Sequence, residues 1–418
     1  MLKTYHIITY GCQMNISDSE RITSVLENLG LKKSQKMKEA DLIVINMCSV
    51  RQSAVDRVYG LIIKLQSLNL KSQTILTGCI LKKDKKKMSS FFNYVLDIKD
   101  LSCWSKALNF KKEIKRDYLK ITPRYSNSFS VNIPIMTGCN NFCAYCVVPY
   151  TRNKEISRPS NDIVKEVENA VEKGAKEIWL LGQNVNSYKD GKTTFPKLLE
   201  KINKIPGDFW IRFTSSHPKD FKDSLIKTMK TCKKTAPYLN LPVQSGDNEI
   251  LKKMNRIYTI EDYKEIVEKL KKEIPNIALS TDVIVGFPTE TKKQFQNTVN
   301  LFKEIKYDMA YISKYSRRAQ TEAFKLKDDV SIKEKIKRER ILNKIVAKTA
   351  FENNRKYIGE ITDVLIDSET KNNSWLGKTK EYKTVKISQK IKNEKLMGEL
   401  VKVKITKASL WGLKGELV

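Results

Sequence analysis

The sequence predicts an α/β protein of three domains, and three observations predict it. Strand-like apolar runs alternate with helical patterns over most of the chain, the alternation gives way near residue 355 to short β runs, and 418 residues leave room for several cores. The expected architecture is an N-terminal open parallel-sheet α/β domain (1–120), a central partial (β/α)6 barrel (130–354) and a C-terminal small β-barrel (355–418). Hydrophobic residues make up 40% and charged residues 30% of the chain. No apolar run approaches the roughly 18 residues of a membrane helix. The opening MLKTYHIITYGC lacks the small-residue cleavage site of a signal peptide, so a soluble, cytoplasmic protein without a membrane partner is expected.

In the first domain each predicted strand runs into a cysteine. Tyr5–Tyr10 leads to Gly11-Cys12, Asp41–Met47 to Cys48, and Gln73–Thr77 to Gly78-Cys79. The carboxyl ends of parallel strands share one edge of a sheet, where ligands usually bind, so cysteines distant in sequence converge there. A Lys-rich irregular stretch from Lys111 to Ser130 reads as a linker. Six apolar runs then alternate with helices: Val131–Met136, Glu177–Leu181, Phe209–Phe213, Tyr238–Val243, Ile277–Val285 and Asp308–Tyr315. An incomplete barrel with its chemistry at the strands' carboxyl ends fits them. A long basic helix opens at Ser331, with Glu334 completing a capping box. The last segment has β runs at Ile361–Ile366, Lys383–Ile387 and Leu400–Ile405, punctuated by Asn372-Asn373, Gly377, Gly398 and Gly412. A small basic barrel of the oligonucleotide-binding style fits it.

The net charge is +31, which attracts polyphosphates, although a Lys-rich composition accounts for part of it. Eight cysteines in a reducing compartment point to metal ligation or catalysis, and two histidines leave little for mixed zinc sites. The sharpest motif is Cys139-x3-Cys143-x2-Cys146, just after the first strand of the second domain. Zinc would demand a fourth ligand nearby. Three thiolates suit a 4Fe-4S cluster with one iron left open to a cofactor.

That motif, with Tyr145 before its last cysteine, resembles the radical S-adenosylmethionine (SAM) superfamily. Further strings narrow the resemblance to the tRNA methylthiotransferases: Tyr10–Asn15, Asp18-Ser19-Glu20, Asn46–Arg51, Val147–Arg152 with Glu155 and Ser157-Arg158-Pro159, Leu180–Tyr188, Leu241–Gly246 and Val285–Pro288. Cys12–Asn15 and Cys48–Arg51 fit the branch acting on N(6)-dimethylallyladenosine beside the anticodon. The resemblance implies a radical SAM cluster on Cys139, Cys143 and Cys146, and a second 4Fe-4S cluster on Cys12, Cys48 and Cys79. It also implies SAM as methyl donor and radical source, adenine contact by Tyr145, a tRNA substrate, a TRAM-like final barrel and a one-electron reductant such as flavodoxin or ferredoxin. A monomer is expected. For the polar and apolar contacts to SAM the strand-end candidates are Gln183, Asn184, Ser215, Gln244 and Val285, with Arg158 as carboxylate partner. Lys82, Lys83, Lys85, Lys86 and Lys87 lie where a tRNA phosphate would be met, and Cys103 and Cys232 read as ordinary buried cysteines.

The sequence departs from the family's pattern at Met47, at Ile80–Lys83, at Thr289 in place of a common Gly, and in Ser316–Thr321, a loosened Ser-Pro-Arg-Pro-Gly-Thr-like segment. None removes a cluster ligand. Two other readings remain open: methylthiolation of threonylcarbamoyl adenosine or of a ribosomal-protein aspartate, and a noncatalytic RNA-binding protein with a structural metal.

Overall fold

The computed structural model describes residues 2–50, 52–68, 70–113, 116–370, 374–387 and 396–418; Arg51, Asn372 and Asn373 lie outside them. In the first domain strands β1 (Thr4–Thr9), β2 (Lys32–Lys33), β3 (Leu42–Cys48), β4 (Gln73–Cys79) and β5 (Tyr94–Val95) form a parallel sheet of order β2-β1-β3-β4-β5. Every residue of β3 is buried, as a central strand covered on both faces requires. Its alternate side chains serve opposite layers. Leu42 and Val44 pack with Ile22, Val25 and Leu26 of α1 (Gln13–Asn28), whereas Ile43 and Ile45 meet Val55, Val58 and Ile62 of α2 (Gln52–Ser67). The short α3 (Lys82–Met88) follows Cys79.

The central domain carries β6 (Ser130–Pro134), β7 (Glu177–Leu181), β8 (Trp210–Phe213), β9 (Tyr238–Asn240), β10 (Ala278–Val285) and β11 (Met309–Lys314). These strands pair in parallel as β8-β7-β6 and β9-β10-β11, and an Ile211–Thr235 bridge links the halves. Two of its helices bear on the site and its cover, the short α4 (Val148–Arg152) and the long α5 (Ile332–Arg355). The partial barrel leaves β6 without a strand neighbour on one side. There α1 lies against it, and Ser17 Oγ donates to Asn132 O at 3.2 Å. At the other edge α5 packs on β11.

The last domain is a closed five-stranded barrel of β12 (Ile361–Glu369), β13 (Trp375–Thr379), β14 (Thr384–Ile387), β15 (Leu400–Ser409) and β16 (Gly412–Leu417), in the order β12-β13-β14-β16-β15. Its β13–β14 turn stoppers the amino end of the central barrel. Tyr382 lies tilted against Tyr238 and edge-to-face with Trp179, with centroids 4.8 and 5.2 Å apart. Arg212, wholly buried, donates to Glu177 Oε1 (2.5 Å) and to the carbonyls of Lys380 (2.7 Å) and Thr379 (2.9 Å).

Two local expectations are corrected. Cys232 is buried, but Cys103 is exposed at the end of a short helical turn. Ser331 caps α5 by accepting from the Glu334 N–H at 3.3 Å, but the box is half made, because the Glu334 carboxylate pairs instead with Arg338 at 3.0 Å. Thr289 and Gln320, two of the departures from the family's pattern, stand in turns. Both hold the left-handed conformation, with φ +71° and +72°, at the positions where the family resemblance expects glycine. A Cβ there costs about 1–2 kcal/mol. Gln320 is exposed, so Gln320→Gly should stabilise the chain by up to about 1 kcal/mol after the added unfolded-state entropy is subtracted. Chemical denaturation would register this as a higher midpoint; a lower one would mean that the turn is not strained.

Candidate functional site: two three-thiol centres joined by a short helix

Cys12 precedes α1, and Cys48 and Cys79 end β3 and β4 in direct register. The sheet therefore delivers all three to one edge, Cys12 exposed and the other two buried. The Cys48 and Cys79 thiols share a proton-bridged contact in which Cys48 keeps the proton more tightly. That hydrogen bond, with burial, raises Cys48; the same bond, and then the Arg152 guanidinium, lowers Cys79 against its burial. Asn15 organises the edge: its Nδ2 donates to Asn46 Oδ1 (3.1 Å) and Met47 O (3.3 Å) and lies 4.0 Å from Cys79 Sγ, while its Oδ1 faces Cys12 Sγ at 3.5 Å. Gly78 has φ +107°, and a Cβ on it would fall 2.2 Å from Met47 O, so only glycine lets Cys79 approach.

The second triple sits beyond β6. Gly138, at φ +80°, has the Lys154 carbonyl 2.1 Å from where a Cβ would stand. The loop that follows is pinned from outside by Asn255 Nδ2 to Phe142 O (3.0 Å), Ala144 N to Met254 O (2.8 Å) and Ala323 N to Ala144 O (2.7 Å). Burial, and then the charge of Cys143, push the Cys146 thiol up to about 12, and burial raises Cys139. Such thiols are not standing nucleophiles. They lose their protons when a metal takes them.

Among the described residues no three Cys, His, Asp or Glu side chains close on a single ion, as a tetrahedral zinc with bonds of about 2.3 Å would require. The donor sets fit a larger sulfur-bridged group. Each centre offers three thiols and a buried arginine: Arg256 Nη1 lies 3.7 Å from Cys143 Sγ, and Arg152 Nε 3.0 Å from Cys79 Sγ. Neither arginine was singled out by sequence reasoning. Arg152 also ion-pairs with Asp18 at 2.5 Å, and Asp18 accepts from Tyr118. Arg318, buried with one guanidinium nitrogen unpartnered, donates to Gln52 Oε1 (2.6 Å) across the same domain boundary.

Beyond β7 and β8 the carboxyl edge of the barrel holds a group of buried polar atoms without partners among the described residues: Gln183 Oε1, Asn184 Oδ1, Asn186 Nδ2, Ser216 Oγ and His217 Nε2. Burial, with Arg256 and Lys219 adding to it, draws the His217 pKa down to about 2, so its ring is neutral. Its Nδ1 accepts from the Lys219 N–H at 3.2 Å, which leaves the proton on Nε2, a donor with nothing to meet. Unsatisfied buried groups of both kinds are what a polar ligand would complete. Gln183 and Asn184 belong to this group, and Ser215 adjoins it at φ +62°, its carbonyl taken by the Val185 N–H (3.3 Å). Gln244 bridges toward β10 through its backbone, and Tyr145 packs near Phe287 and Tyr315. Val285 is wholly buried in the barrel core and its carbonyl accepts from Tyr315 N. Arg158, the expected carboxylate partner, keeps a buried Nε without a partner among the described residues. Its Nη1 and Nη2 are spent on Pro134 O and Glu166 Oε2, both at 2.6 Å, where they tie β6 to the helix that follows.

Family models match in the same order as the domains. "Uncharacterized protein family UPF0004" covers residues 4–98, "Radical SAM superfamily" 133–302 and "TRAM domain" 355–418. Among solved structures, the radical S-adenosylmethionine methyltransferase TsrM from Kitasatospora setae, with cobalamin and a [4Fe-4S] cluster bound, shares the fold at TM-score 0.57 and 14% identity, over 77% of this chain and 74% of that one. Two relatives are named tRNA-2-methylthio-N(6)-dimethylallyladenosine synthase. That of Clostridium tetani is 39% identical over 99% of this chain and 96% of its own length, and that of Caldicellulosiruptor saccharolyticus 40% identical over 100% and 93%. On fold, thiol geometry and end-to-end similarity together, this chain belongs to the tRNA-2-methylthio-N(6)-dimethylallyladenosine synthase family of radical SAM proteins.

Proposed function

We propose that the protein is a tRNA methylthiotransferase that converts N(6)-dimethylallyladenosine at position 37, next to the anticodon, to its 2-methylthio derivative, using one SAM as methyl donor and one as radical source. The observation that carries this reading is the presence of two separate three-thiol centres on the carboxyl edges of two sheets, joined through α4 and Arg152. When bound, a 4Fe-4S cluster on Cys139, Cys143 and Cys146 supplies the electron that cleaves SAM, and one on Cys12, Cys48 and Cys79 offers an open iron to the sulfur being inserted.

The chain's own residues prepare the site. Arg256, held by Pro242 O (2.8 Å) and Tyr258 Oη (2.9 Å), keeps a fixed cation beside Cys143. The neutral His217 Nε2–H, with Gln183 and Asn184 as acceptors, receives the polar parts of SAM or of the base, and Tyr145 lies against the adenine. For the RNA, Lys82, Lys83, Lys85, Lys86 and Lys87 stand on α3, immediately past Cys79, as phosphate partners. On the last barrel Trp411, 60% exposed at the β15–β16 turn, offers a stacking face near exposed Lys407 and Lys414. Sequence reading passed over it, since one tryptophan carries no spacing signal. The enzyme acts in the cytoplasm as a monomer with a flavodoxin- or ferredoxin-like reductant.

Mass spectrometry of tRNA nucleosides tests the reading. In a strain lacking this activity, expressing the chain should convert dimethylallyladenosine to its methylthio form. If dimethylallyladenosine stays unconverted while threonylcarbamoyl adenosine gains the group, the substrate assignment is overturned. Zinc without iron or sulfide in anaerobically purified protein would remove the enzyme reading altogether.

A further inference from the structure

Helix α4 begins two residues after Cys146 and ends on Arg152, whose Nε lies 3.0 Å from Cys79 Sγ. A segment of five residues, roughly 7–8 Å of helix, thus starts at one thiol centre and touches the other. Arg152 is buried, as are Cys79 and Asp18. Its Nη2 forms the ion pair with Asp18, itself held by Tyr118. The charges that face this point are Asp18, Arg152 and the half-buried Lys99, with Arg21 on the far side of Asp18.

Reducing an iron-sulfur cluster adds negative charge. A hydrogen bond to a ligand sulfur and a nearby cation both favour the reduced form and raise the potential, and burial enlarges both effects. We infer that Arg152 is a positioning residue that sets the reduction potential of the centre on Cys12, Cys48 and Cys79, and that Asp18 offsets its charge; this rests on the two-cluster function proposed for the chain. Neither residue touches the reacting atoms. Their role is to hold the second centre at a defined potential while the first receives and spends its electron.

A structural and an electrostatic role predict different signs. If Arg152 and Asp18 merely tie the domains together, breaking the pair from either side perturbs the centre alike. If Arg152 tunes the potential, Arg152→Met removes the cation and the N–H donor and makes the potential more negative, whereas Asp18→Asn unmasks the cation and makes it less negative. Arg152→Lys keeps the charge, loses the Nε–H bond, and falls between wild type and Arg152→Met.

The measurement is potentiometric titration followed by electron paramagnetic resonance, on full-length protein reconstituted with iron and sulfide. Cys139, Cys143 and Cys146 are all replaced by Ala in the background, so that only the second cluster reports. Opposite shifts for Arg152→Met and Asp18→Asn are expected, with iron content near four per chain in each. Shifts of the same sign, or none, overturn the assignment of Arg152 while leaving the cluster in place. Absence of any cluster in the Ala background overturns the two-cluster reading itself. Should Arg152→Met fail to fold, Arg152→Lys and Asp18→Asn still carry opposite expected signs.

Discussion

Cys139→Ala should leave no detectable cleavage of SAM, while Cys12→Ala should cleave SAM at close to the wild-type rate and produce no methylthio-nucleoside. The contrast follows from where the two side chains stand. Cys139 lies in the loop pinned by Asn255, Met254 and Ala323, and a cluster denied one of three thiolates there has no stable seat. Cys12 stands at the start of α1 in another domain, and its nearest polar partner is Asn15. Its loss leaves the Cys143–Arg256 contact untouched. Deoxyadenosine release and nucleoside analysis, run on the same reconstituted samples, separate the two activities. Equal loss of cleavage in both variants would refute division of labour between the centres.

Arg212→Met should cost about 3–5 kcal/mol, the range found when one partner of a buried pair is removed. The wild-type guanidinium is spent on Glu177 and on two carbonyls of the β13–β14 turn, and it lies over the rings of Trp179, Trp210 and Tyr382 at 5.0–5.6 Å. Methionine fills much of the space and satisfies none of these groups, so Glu177 is left buried with the Ser130 and Trp179 donors alone. Proteolysis should then cut first on either side of the last barrel. Unchanged resistance to denaturant would mean that water enters and replaces the pair.

The two cysteine triples were legible because two kinds of regularity mark them. Three share a tight spacing, and three each close an apolar run, which parallel topology turns into a common edge. The strands of the partial barrel were legible for the same reason, as alternating apolar runs. Asp18 and Arg152 were read only as members of family strings and Arg256 not at all, because a charged residue gains its role from a partner distant in the chain: Asp18 and Arg152 are 134 residues apart. Arg158 was read at a strand end as a ligand contact, and the pairing of its Nη2 with Glu166, eight residues on, was not foreseen for the same reason. The half-made box at Ser331 failed because Glu334 has a choice of cations on its own helix, and Arg338 is nearer than the cap.

The cover that α1 gives to β6 bears on the history of the chain. A six-stranded open barrel standing alone would present a bare strand to its neighbours and invite pairing from molecule to molecule. Ser17 occupies that rim at Asn132, while α5 shields the opposite one. The opening domain therefore covers an open rim of the central one as well as supplying thiols, and because it precedes that domain in the chain it is synthesised before the strand it covers. Moving it to the other terminus would keep every thiol but reverse that order of synthesis.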